Sequence, residues 1–88
     1  MKLLEYSDKQ AVTNIREWNS QFSDVVEAIK VIEAFLVDPQ AHSDDEDYLR
    51  FVFNNVEILK SSIDLNRSQK ELCSKVTEMV QEMSGYKF

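Results

Sequence analysis

A stripe of apolar residues running Ala11, Ile15, Trp18, Phe22, Val25, Ile29, Ile32 and Leu36 constrains this chain more than any other feature. Its steps alternate between four and three without a break, which is the period of a helix and excludes the two-residue alternation of a strand. Val12, Val26, Ala28, Val31 and Phe35 widen the stripe, mostly in its second half. That half needs cover on more than one side.

Two further sets share the spacing. Leu49, Val52, Val56, Leu59 and Ile63 form the first, flanked by Phe51, Phe53 and Ile58, and Leu72, Val76, Met79 and Met83 form the second, out of register with it. The phase slips near Leu65-Asn66-Arg67. One Gly and one Pro in 88 residues leave too little turn chemistry for a sheet protein of this size. The fold class is therefore all-α, a single domain over residues 1–88 at the small end of what buries its own core.

Each apolar segment follows a Ser with Gln or Glu three residues later, the reciprocal pairing that satisfies the free amides at a helix start. The pairs are Ser7 with Gln10, Ser43 with Glu46, and Ser68 with Glu71. Together these signals predict helices at about 8–37, 44–65 and 69–83, as a long helical hairpin or a three-helix bundle. Asp38-Pro39 ends the first helix, because Pro39 supplies no amide and disfavours helix at the residue before it. The second and third segments could instead run through Asn66 as one helix. Asn19-Ser20 and Ser23 could split the first helix and give a four-helix bundle, but the unbroken stripe favours continuity. Gly85 suits a left-handed cap, leaving Tyr86-Lys87-Phe88 as a short apolar tail.

A helix of about 30 residues is about 45 Å long, more than a globule of this length needs at a radius of gyration of about 12 Å. Dimerisation would cover the part that projects, as would an elongated monomer in which the later helices line the first.

Ten Lys and Arg against sixteen Asp and Glu give a net charge of −6, which opposes nucleic-acid binding and suits a basic protein partner. No apolar run approaches the ~18 residues of a membrane span. Met1-Lys2-Leu3-Leu4 meets Glu5 and Asp8 too soon for a signal peptide, and the single Cys73 needs no oxidising compartment, so a cytoplasmic location is expected.

The strongest local charge feature is Asp44-Asp45-Glu46-Asp47, read as helix N-terminal charge and as a contact patch for a basic partner. Trp18 reads as a core anchor by its place on the stripe, with an interface hot spot as the alternative. Phe88 joins these as a candidate contact. No cofactor, metal site or catalytic residue is expected. One His and one Cys make no zinc signature, no EF-hand loop is present, and phosphate loops and nucleophile motifs are absent. His42 reads as a solvated loop residue and Cys73 as a small buried hydrophobe.

In size and acidity the chain is similar to bacterial immunity proteins, without their Tyr-Tyr-Pro motif. Its helix, Pro-containing loop and helix look like type III secretion needle and WXG100-type hairpins, although Trp18 is followed by Asn19-Ser20 and lies far from the loop. These readings lead to a non-enzymatic inhibitor or adaptor of the immunity, antitoxin or phage-accessory kind that binds a basic protein. The alternative is a self-assembling helical hairpin of a secretion or structural complex.

Overall fold

The computed structural model describes residues 6–85, with side chains from Asp8 onward. The tail with Phe88, and the Ser7 side chain of the first expected cap, lie outside the described residues. Four α-helices and no strand occur among them: α1 (Tyr6–Trp18), α2 (Ser23–Val37), α3 (Glu46–Ser62) and α4 (Arg67–Ser84), with a 3-10 turn at Pro39–His42. Each helix packs on its chain neighbour, and α1 also packs on α4, which closes a ring around one core.

The expected first helix over 8–37 is not continuous. It breaks at residues 19–22, where the Phe22 amide donates to the Asn19 carbonyl at 2.9 Å and the Asn19 side-chain amide caps the Ile15 carbonyl at 2.9 Å. The reason is cover. A straight rod would leave much of α1 without a neighbour, whereas the turn lets α1 bury Ala11, Val12 and Ile15 against α2 and α4. The radius of gyration is 12.1 Å and the principal extents are 34 × 24 × 19 Å, so no helix projects in the manner that called for a dimer.

Asp38-Pro39 ends α2 as the sequence predicts, and α2 buries Val25, Ala28, Ile29, Ile32 and Phe35 between α1 and α3. The break between the last two helices is also present, which excludes a single long helix through Asn66.

The N-caps of α3 and α4 lie two residues from their expected positions. Ser43 is still held in the 3-10 turn, its amide donating to the Gln40 carbonyl, so Asp45 caps α3 by accepting the Tyr48 amide at 3.1 Å. At α4 the reciprocal box is built by Asn66 and Gln69, with contacts of 2.9 and 3.0 Å, and Ser68 is exposed. Half-buried Ile63 and Leu65 anchor the preceding loop on the core and set the earlier start. Gly85 ends α4 at φ 74°, in the left-handed region, with its amide on the Gln81 carbonyl.

Phe35 is the largest fully buried side chain and contacts the Tyr48 ring at a centroid distance of 6.4 Å. Phe35→Ala should therefore cost about 3–5 kcal/mol, and Asn66→Ala about 1 kcal/mol. Urea unfolding followed by circular dichroism reads both, and equal effects would show that Phe35 is not central to the core.

Candidate functional site

Of the candidate contact residues, those among the described residues fall at the two ends of α2. Trp18 closes α1 at one end, while the acidic run opens α3 at the other, and the 15 residues of α2 lie between. At 1.5 Å per residue that separation is roughly 22 Å. The structure therefore does not bring Trp18 and the acidic run into one patch.

At the acidic end, Asp38, Asp44, Asp45, Glu46 and Asp47 are all exposed. Asp45 is used as the N-cap, and Glu46 and Asp47 sit in the first turn of α3, where negative charge is favoured by the helix dipole. Four ion pairs join described residues: Arg16 with Glu33, Lys60 with Glu57, Arg67 with Glu71, and Lys75 with Asp8. None uses a carboxylate of this run.

Tyr48 fixes the loop beneath these acids. Its ring stacks on His42 at 4.0 Å and 27°, and on its other flank it meets Phe35. His42 is accordingly half-buried and not the freely solvated residue expected. Burial raises the Tyr48 phenol pKa, and the Asp45 carboxylate adds to the shift.

At the other end the structure corrects the reading of Trp18 as a core anchor. Trp18 is 59% exposed and Phe22 48%, because the turn that lets α1 close on its neighbours rotates both rings out of the stripe. Phe51 and Ile58 are also exposed large apolar groups. They lie two helical turns apart on α3, a spacing legible in the sequence, but their exposure depends on which face the neighbouring helices cover.

An open groove of about 480 Å³ runs between the end of α3 and the start of α4, lined by Lys60, Ile63, Asp64, Lys70 and Cys73 among others. Cys73 forms part of its floor at 2% exposure, in keeping with the small-hydrophobe reading. Among the described residues, no helix is long and apolar enough to cross a membrane, and no group of three or more His, Cys, Asp or Glu is placed to hold a metal ion. Comparison of the chain with protein-family models, with curated proteins and with solved structures finds no significant match.

Burial pushes the Cys73 thiol up to about 11, with Lys60 opposing and Glu57 reinforcing the shift, against an ordinary value of 9.0. The folded state thus holds the proton more tightly than the unfolded state. The stabilisation is complete below pH 9.0 and is lost as pH rises towards about 11. Cys73→Ala should flatten this part of the pH profile by on the order of 2–3 kcal/mol, read as the difference between the two proteins in urea unfolding at pH 8 to about 11. Parallel profiles would place the thiol in water.

Proposed function

We propose that this chain is a non-enzymatic interaction module, an inhibitor or adaptor that docks a basic partner protein on its acidic end. The observation that carries the reading is the exposed run Asp44 to Asp47, with Asp38 across the loop, none of it used in the ion pairs among described residues. Capping explains one carboxylate and the dipole favours the first turn, but neither requires Asp38 or Asp44. Carboxylates outside the ion pairs among described residues are available to an approaching surface, and a chain with net charge −6 steers basic proteins towards itself. The Tyr48-His42 stack beside the loop supports it, because a loop held in place by such a contact loses less entropy on docking.

A second reading, self-assembly, rests on a different observation. Trp18 and Phe22 are large apolar groups left outside the core of a small protein, and buried tryptophan is enriched at interface hot spots.

Affinity capture with the intact chain should retrieve a basic protein, and titration of that purified partner tests the surface. Asp44→Lys with Asp47→Lys spares the Asp45 cap and should weaken binding by roughly tenfold or more, mainly through the association rate. Raising salt from about 0.05 to about 0.5 M should weaken the native complex in the same direction. A partner whose affinity is indifferent to both changes would overturn the acidic-end reading.

A further inference from the structure

The break between α1 and α2 interrupts a pattern that the sequence continues without error. Ala11, Ile15, Trp18, Phe22, Val25, Ile29, Ile32 and Leu36 keep their alternating steps straight through residues 19–22, and neither Gly nor Pro stands in the turn. Of these eight, Ala11, Ile15, Val25, Ile29 and Ile32 are buried and Leu36 is half-buried. Only Trp18 and Phe22, the two that flank the turn, are exposed. Exposure is thus confined to the one place where the helix is broken. Helical bonding already resumes at once, with the Val26 amide on the Phe22 carbonyl at 3.0 Å.

We propose that residues 19–22 are a hinge, and that opening it joins α1 and α2 into one helix which exchanges α1 between two copies of this chain. In the exchanged dimer, α1 of one copy packs on α2 and α4 of the other through the contacts it makes within one copy now. Arg16 with Glu33, at 2.8 Å, and Lys75 with Asp8, at 2.6 Å, are re-formed between copies. The surfaces are already complementary, which is what makes exchange of an element an accessible route to a dimer. The new contact is where the two straightened hinges cross, and it covers Trp18 and Phe22. A strict seven-residue repeat drifts by about 20° per heptad on a straight helix, so the joined helices would coil left-handed about one another there.

The occupant of the aromatic turn is therefore a second copy and not a foreign protein. This proposal stands apart from the acidic-end reading and has the opposite salt response. Two copies of charge −6 repel, with Glu17 and Asp24 flanking the hinge, so added salt strengthens the dimer, whereas it weakens the complex with a basic partner.

Light scattering and sedimentation of the full chain over a wide concentration range, with tryptophan emission recorded alongside, form the test. Wild type should show a dimer that grows with concentration and salt, with emission of the single Trp18 moving to shorter wavelength in step. Position 20 is the second residue of the turn closed by Phe22 on Asn19, where proline is favoured. In a continuous helix proline there removes an amide and strikes the Arg16 carbonyl. Ser20→Pro should accordingly remain monomeric. Asn19→Ala with Ser20→Ala removes the Ile15 cap and raises helix propensity, and should strengthen the dimer by roughly tenfold. Phe22→Ser should weaken it while leaving the monomer folded.

A wild type and Asn19→Ala/Ser20→Ala variant that both stay monomeric would overturn the proposal. So would a folded Ser20→Pro protein that dimerises as the wild type does, since that dimer would use the closed turn. If Ser20→Pro does not fold, the alanine pair decides, because a dimer built on the closed turn gains nothing from a better helix former at the hinge.

Discussion

Ala11, Val12 and Ile15 reach the core only because the chain turns back at Asn19. A continuous helix over the whole stripe would satisfy more backbone hydrogen bonds and keep every heptad position on one face. It would also leave the first of its turns with nothing to pack on. Closing the turn trades partial burial of two aromatic rings, Trp18 and Phe22, for near-complete burial of the α1 face against α2 and α4. At about 25 cal/mol per Å² of apolar surface, the larger and better-packed contact prevails. The rest of the ring follows, since α4 has its second neighbour only when α1 lies beside it.

The polar contacts across α1 are consistent with this. Lys75 reaches the buried Asp8 carboxylate at 2.6 Å, and the Arg16 Nη1 lies 2.9 and 2.8 Å from the two carboxylate oxygens of Glu33. The Asp8 side chain is only 3% exposed and the Lys75 side chain 20%, so removing the lysine would take a cation from a carboxylate held away from water. The pair therefore specifies where α1 sits more than it adds net stability. The Arg16 pair is more open to solvent and weaker for that reason, but it ties α1 to α2 as the Lys75 pair ties it to α4.

Helical class, the Pro39 break, the separation of α3 from α4, the Gly85 cap and the burial of Cys73 were all legible in the sequence. The Pro39 break and the Gly85 cap depend on local chemistry that no distant contact overrides, while the burial of Cys73 follows from its place beside the apolar stripe of its helix. The caps at Asp45 and Asn66 were legible as a pattern but not in position, because several Ser, Asn and Asp residues compete at each start and the preceding loop decides among them. The turn at 19–22 was not legible at all from periodicity. Asn19-Ser20 carries weak breaking propensity, and what closes the turn is the cover available from α4, some fifty residues further along the chain in rough terms. The exposure of Trp18 follows from the same non-local cause. Of the candidate site, the acidic run could be read directly, since an exposed carboxylate needs no tertiary context to be recognised. That it lies at the opposite end of α2 from Trp18 could not.

This failure of pattern at the hinge bears on function. A sequence whose local periodicity and global fold disagree at one point is frustrated there, and that conflict narrows the gap to another packing. Here the disagreement involves four residues without Gly or Pro, two aromatic rings and one side-chain cap from Asn19. The closed ring answers the need for cover within one copy. The proposed open helix would answer the same need by borrowing a second copy, and would give Trp18 and Phe22 the burial that their place on the stripe implies. The acidic loop is remote from this choice, at the far end of α2, so a partner held there can be engaged by either form. Exchange would then change how many acidic ends one assembly presents, turning a single contact into a paired one without altering the contact itself.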